Sequence, residues 1–315
     1  MGLTVRIGTR GSKLALWQAN WVASAIKADL TSISTELVII KTKGDKVQDV
    51  PLAQIGGKAL FIKEIEEALL NGSIDIAVHS MKDMPAEMPD GLCMGAIPER
   101  EITADVLISK NGFKLAELKA GSRIGTGSLR RRALLRYARP DILVVPLRGN
   151  LDTRIKKLET ENLSGIILAA AGMKRMGWEG KISEYLDETV MLPAVGQGAL
   201  CIEIRQYDTA TEKTISHLDH YHTRAAVTAE RSFLNQLGGS CHVPVAALGK
   251  VKNDRLILEG LVADIDGKTL IRDSISGSVS TPEIIGFSLA ERLISKGAES
   301  ILERVEEREE DKNER

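Results

Sequence analysis

The sequence predicts an α/β protein in which two similar α/β domains are followed by a smaller α+β domain. Three observations carry this reading. Short apolar runs alternate with helical patterns, which specifies parallel strands covered by helices on both faces. Two segments recur in the same order: Arg6-Ile7-Gly8-Thr9 returns as Arg123-Ile124-Gly125-Thr126, and the run from Ile74 to Met84 is echoed from Ile166 to Met176. From about His220 the style changes to a helix, short strands and a further helix. The competing explanation of the echoes is chance recurrence among residues common in α/β proteins. A length of 315 residues suits two or three domains at about 150 residues each.

Taken in order, Val5-Arg6-Ile7 is a strand and Gly8 to Ser12 a tight loop. Leu14, Trp17, Trp21 and Ala25 recur at helical spacing, so a helix starts near Ser12, a good N-cap. Leu37 to Ile40 is the next strand, Phe61 to Leu70 an amphipathic helix, and Ile74 to Val78 a buried strand. Linkers are expected at Pro98 to Ala104 and at Pro193 to Gly198, where Pro and Gly punctuate the chain. A helix over Ala225 to Leu237 leads to strands at Leu256 to Val262 and Ser274 to Val279, then a helix over Glu283 to Lys296. The charged run from Glu303 to Arg315 is a solvated helix end or disorder.

Composition excludes several functions. With 42 Lys and Arg against 43 Asp and Glu, the net charge is −1, so bulk charge does not hold this chain on nucleic acid. Aromatics at 3% are too few for base-stacking platforms. Runs of the roughly 18 apolar residues that span a membrane are missing, and Arg6 arrives too early for a signal-peptide core. The chain is expected to stay in the cytoplasm and to act as a monomer. Cys93, Cys201 and Cys241 are odd in number and lack CxxC spacing, and His217, His220 and His222 match no familiar ligand pattern, so no metal is expected. Neither GxxxxGK[ST] nor GxGxxG occurs.

Anion binding must then come from local clustering. Both copies of the strand-Gly-Thr-x-Ser-helix element leave N–H donors at a helix start, where the dipole also favours negative charge. The second copy adds Ser128, Arg130 and Arg131, and further on come Arg148 and Arg154. Guanidinium pairs suit a polycarboxylate or phosphate; the alternative is a solvated basic helix face. Lys82 and Asp83 follow a buried strand, where open α/β sheets place ligands, although Asp83 could equally cap a turn. Cys241, in a Gly-Gly loop after a helix, is accessible in a way a core cysteine is not. Composition leaves it as nucleophile, attachment point or idle thiol.

At these residues the chain resembles the porphobilinogen deaminase family, nearly end to end. The motifs are Thr9 to Ala19, Gly44-Asp45, Gly57-Lys58 with Phe61, His79-Ser80-Met81-Lys82-Asp83, Ser128-Leu129-Arg130-Arg131, Leu147-Arg148-Gly149-Asn150, Pro193 to Gly198, and Glu230-Arg231 leading to Gly239-Ser240-Cys241. The resemblance implies an enzyme that deaminates porphobilinogen and joins four units head to tail into hydroxymethylbilane. It implies a dipyrromethane cofactor bound to Cys241 as a thioether, and two domains built like the lobes of periplasmic binding proteins. The implied limits are 1–98 with 199–216, then 104–192, then 221–315, the chain returning to the first domain after Pro193 to Gly198.

By matching motif, Asp83 would be the catalytic carboxylate, facing pyrrole N–H groups and stabilising the cation formed as ammonia leaves. Lys82, Ser128, Arg130, Arg131, Arg148 and Arg154 would hold the acetates and propionates of the cofactor. Arg10, Ser12, Phe61 and Gln197 would serve the substrate, with Phe61 near the open end of the cleft. One position departs from the family: Ala104 stands where an arginine is usual, with Arg100 as candidate substitute. A solute-binding protein, which needs export, and a transcription regulator, which needs a helix-turn-helix, are the rival classes.

Overall fold

The computed structural model describes residues 4–42, 62–238 and 243–313. Its first sheet contains β1 (Thr4–Thr9), β2 (Ser34–Ile39), β3 (Ile76–Ser80), β4 (Leu92–Ala96) and β10 (Leu200–Arg205), in the order β2-β1-β3-β10-β4. A second sheet contains β5 (Asp105–Ser109), β6 (Arg123–Gly125), β7 (Leu143–Val145), β8 (Gly165–Ala169) and β9 (Glu184–Tyr185), in the order β7-β6-β8-β5-β9. The plans coincide. β1 is parallel to β2 and β3, as β6 is to β7 and β8, and β10 runs antiparallel to its neighbours, as β5 does. In each lobe the reversed strand is the one entered directly from a linker. The echoed segments occupy matching strands, β1 with β6 and β3 with β8, so the repetition is structural.

Local sequence explains the helices that frame the sheets. In α1 (Lys13–Asp29), Ala15, Ala19, Val22, Ala23 and Ile26 bury one face, the spacing of an amphipathic helix. Ser12 caps it by accepting from the Ala15 N–H at 3.3 Å. After β6, Ser128 caps α3 (Leu129–Ala138) by accepting from the Arg131 N–H at 3.4 Å; between them in the chain lies α2 (Lys63–Leu70). The second lobe adds α4 (Leu151–Thr160) and α5 (Ala170–Arg175). Gly149, at φ 108°, turns the chain into α4, and a Cβ there would meet the Thr153 side chain at 2.7 Å.

After α6 (Thr209–Ile215), the C-terminal part begins with α7 (Tyr221–Gln236) and folds into an antiparallel meander, β11 (Val245–Lys252), β12 (Arg255–Ala263) and β13 (Leu270–Ser278), covered by α7 and α8 (Pro282–Ser295). Phe233 fills the space over Gly260, where a Cβ would lie 2.6 Å from its ring. The charged tail is α9 (Ala298–Asn313), and Ala298, Ile301 and Val305 are buried in this core. It is therefore packed along its first turns, beyond the solvated end expected. Ala246, Leu248, Leu261 and Ala263 join a cluster with Leu107, Ile124 and Ile167, so the meander and the second lobe share one core.

Candidate functional site

Between the lobes lies a cavity of about 240 Å³, at the ends of the parallel strands where this topology places ligands. Its wall carries Arg10, Lys13, Lys82, Arg131, Arg154 and Arg175, six cations, against the carboxylates of Asp83 and Asp152. In a chain of net charge −1, that excess is local, and it defines a receptor for a multiply charged anion. Ser12 lines the same cavity. A second hollow of about 90 Å³ adjoins it at Lys82, lined by Ser128, Arg130, Arg231, Ala194, Val195, Leu234 and Val243. Residues 234 and 243 flank the segment that contains Cys241. Cys241 and Phe61 themselves lie outside the described residues, as do the Gly44-Asp45 and Gly57-Lys58 motifs.

Position and chemistry differ among these groups. Asp83 is exposed at the end of the 3-10 turn Met81–Asp83 that follows β3. The helix-dipole argument for Ser12 and Ser128 changes in detail, since each hydroxyl is already engaged as an N-cap acceptor. Lys82 sits among cations, and burial, followed by the charge of Arg131, lowers its pKa to about 8. Arg154 donates from Nε to the Gly149 carbonyl at 2.7 Å, and burial with Arg131 nearby lowers its pKa to about 10. Arg148 is half-buried beside this turn without lining either hollow.

Arg130 and Arg131 do not project freely. Both converge on Asp105, which is fully buried: Arg130 Nη1 lies 2.7 Å from Oδ2, and Arg131 Nη2 donates to Oδ1 at 2.7 Å. Burial alone would raise the Asp105 carboxyl, but the two guanidiniums hold it down to about 2. Each arginine also donates to a carbonyl, Arg130 to Leu192 and Arg131 to Ile167. Among the described residues, the Arg130 Nε–H is buried without an acceptor. Two cations on one carboxylate, plus an orphaned donor, leave capacity for further carboxylates, so these residues fit a dipyrromethane group.

Two expectations need correction. Gln197 is fully buried and lines neither hollow; its Nε2 donates to the Thr103 carbonyl at 2.6 Å and to Asp105 Oδ1 at 3.0 Å. It braces the two linkers through Nε2 alone, its Oε1 being buried without a donor among the described residues. Arg100 does not replace the missing arginine at Ala104. Its guanidinium grips buried Glu230 at 2.5 and 3.0 Å and donates to the Gln197 carbonyl at 2.8 Å. Glu230 also accepts from the Gly196 and Gly249 N–H groups, both at 2.7 Å. One buried carboxylate thus ties both linkers to the C-terminal meander.

No role was assigned from sequence to Arg175, Asp105 or a buried trio, and Glu230 stood only within a motif. Arg175 looked like one more charge in the second echo. Its Nη2 reaches the Gly198 carbonyl at 2.7 Å, and burial lowers its pKa to about 10. In the trio, His79 Nε2 lies 3.1 Å from Glu203 Oε2, and burial, then Glu203, raises the pKa of Glu66. Acids within apolar runs, Glu203 in Leu200 to Ile204 and Asp105 before Val106-Leu107-Ile108, were the available signal, since a buried carboxylate needs a partner. The histidines have local partners: His220 caps α7 through Thr223, and His217 lies 3.7 Å from Asp29. Among the described residues no group of three His, Cys, Asp or Glu is placed to hold a metal.

Fold and cleft together define a two-lobed α/β protein with a cation-lined cleft between its lobes. Residues 5–213 match the family profile described as "Porphobilinogen deaminase, dipyromethane cofactor binding domain", and residues 224–295 match "Porphobilinogen deaminase, C-terminal domain". The chain belongs to the porphobilinogen deaminase family. It is 52% identical over 301 residues to the porphobilinogen deaminase of Carboxydothermus hydrogenoformans, covering 96% of this chain and 97% of that one. It is 53% identical over 305 residues to that of Geobacter metallireducens, covering 97% and 96%. Among solved structures, the methionine binding protein MetQ is similar at a TM-score of 0.43 and 14% identity, over 68% of this chain and 89% of that one. An arginine-specific periplasmic binding protein of Salmonella typhimurium is similar at 0.40 and 17%, over 69% and 91%. No helix of the described residues is long and apolar enough to cross a membrane.

Proposed function

We propose that this chain is a hydroxymethylbilane synthase: it deaminates porphobilinogen and condenses four units head to tail on a dipyrromethane primer attached through Cys241. The single observation that carries the reading is the cavity in which exposed Asp83 stands among six cations, sharing Lys82 as a wall with the second hollow, whose lining residues 234 and 243 flank the Cys241 segment in the chain. When bound, the dipyrromethane supplies a free pyrrole carbon as the growing end. Lys82, Ser128, Arg130, Arg131, Arg148 and Arg154 hold its carboxylates. Arg10 and Ser12 hold those of the incoming substrate. Phe61, which lies outside the described residues, is assigned to the substrate by its matching motif, where a cap over the reacting ring would exclude water. Asp83 faces ring N–H groups and offsets the positive charge that develops as ammonia departs, a preorganised electrostatic role. Gln197 serves the site indirectly, through the linkers.

The domain limits proposed are 1–98 with 199–216, 104–192 and 221–315; the three sheets support them. The enzyme works as a cytoplasmic monomer on a small molecule, without nucleic acid or membrane. Cys241 is favoured as attachment point because the other thiols are unsuited. Cys201 is fully buried in β10 and its pKa is raised by burial, and the half-buried Cys93 is raised likewise. Tryptic mass analysis tests this: the dipyrrole adduct is expected on the peptide holding Cys241, together with porphobilinogen consumption and ammonia release. An adduct on Cys93 or Cys201, or active unmodified enzyme, refutes the assignment.

A further inference from the structure

We propose that Trp17 is a positioning residue: it holds the Arg175 guanidinium across the gap between the lobes, ready to take a carboxylate of the bound chain. The inference rests on the cleft being the porphobilinogen site.

Trp17 lies on α1 in the first lobe, and Arg175 ends α5 in the second. The Arg175 Cζ is 6.0 Å from the Trp17 ring centroid, the range of a cation–π contact. Trp17 is 38% exposed, so it is not a core side chain of its own lobe. Neighbours on the same helix face also reach across. Lys13 Nζ is 3.8 Å from Asp152, and Leu14 and Leu151 meet around Gly172, three and four residues being the spacing that shares a face.

The other buried arginines near the linkers are committed to acids: Arg130 and Arg131 to Asp105, and Arg100 to Glu230. Arg175 has no such partner among the described residues. The acid nearest in charge, Glu101, is taken by Lys174 at 2.9 Å. A guanidinium carries five N–H donors in a fixed fork. Among the described residues only Nη2 has an acceptor, the Gly198 carbonyl. An aromatic ring steadies the plane of the group without using a donor, so the remaining fork stays open for a carboxylate.

The test is a double-mutant cycle on the full enzyme, using Trp17→Leu, Arg175→Leu and the pair, with Trp17→Phe as the conservative variant. Trp17→Leu is expected to raise KM for porphobilinogen about 2- to 5-fold, the size of an exposed cation–π contact, while kcat and melting temperature hold. Trp17→Phe restores most of that KM, and in the Arg175→Leu background Trp17→Leu adds nothing. Unchanged KM, a loss of melting temperature without a KM effect, or equal effects with and without Arg175 overturn the role of Trp17. A parent enzyme that consumes no porphobilinogen refutes the reading of the cleft as well.

Discussion

Replacing Asp105 with Asn keeps the shape of the side chain and removes the one charge shared by Arg130 and Arg131. Two routes give the cost. The carboxyl is held at about 2 against an ordinary 3.8, and a difference of roughly 2 units is worth about 2–3 kcal/mol. Removing one partner of a buried ion pair generally costs about 3–5 kcal/mol, because the remaining charge stays buried and unmatched. Here two guanidiniums are left, and a side-chain NH₂ replaces an acceptor, so the upper range is expected. At about 2–4 °C per kcal/mol for a unit of 150–250 residues, the second lobe and the C-terminal meander that shares its core should melt roughly 6–20 °C below the parent in Asp105→Asn by calorimetry. A depressed carboxyl stabilises above its unfolded pKa. The parent should therefore lose this contribution as pH falls from about 4 through about 2, and the variant should lack that slope. Bound cofactor carboxylates would partly replace the missing charge, so the deficit should be smaller in adduct-bearing protein than in apo-protein. A variant melting within about 2 °C of the parent would show that Asp105 is not what neutralises the pair.

Four further outcomes are expected. Asp83→Asn should fold normally and lose about 10² to 10³ in turnover, and near-normal turnover by ammonia release would reject Asp83. Lys82 is charged only below about 8, so kcat/KM should fall above that pH in the parent and stay flatter in Lys82→Arg; identical profiles would count against it. Glu66 binds its proton more tightly when folded, so parental stability should decline as pH rises past the ordinary Glu range, while Glu66→Gln gains on the parent at pH 8 in denaturant titrations. Arg148→Leu or Arg131→Leu should leave apo-protein or early complexes, whereas Arg10→Leu should permit cofactor assembly but block condensation. Native gels would show this, and one common ladder, merely slower, would refute staged binding.

How much was legible follows the range of the interactions. The strand-Gly-Thr-x-Ser-helix element is local, so Arg6 to Ser12 and Arg123 to Ser128 announced two matching β-α units before any coordinates. Caps and turns such as Ser12, Ser128 and Gly149 were visible for the same reason. Arg130 and Arg131 were legible as a cluster but not as a pair bound to Asp105, whose carboxylate comes from another strand. Arg100 and Glu230 are 130 residues apart, and nothing in either neighbourhood names the other. Gln197 was placed in the site because its motif was, yet its amide turns toward Thr103 and Asp105. Arg175 had no local mark at all, since its importance comes from the opposite lobe.

The two linkers also decide how the molecule can bend. A body joined to another by one strand can swing in any direction; joined by two, it turns only about the line through both. Gly198, at φ 89°, brings the linkers so close that a Cβ there would lie 2.4 Å from the Glu101 carbonyl oxygen, and Glu230 rivets them to the meander. That line is an axle. Val243 shares the second hollow with Ala194 and Val195, so a polymer tethered at Cys241 as proposed would have its anchored end near the axle, where rotation displaces least. A small turn about that line would widen the cleft for new rings while scarcely straining the proposed bond that anchors the first.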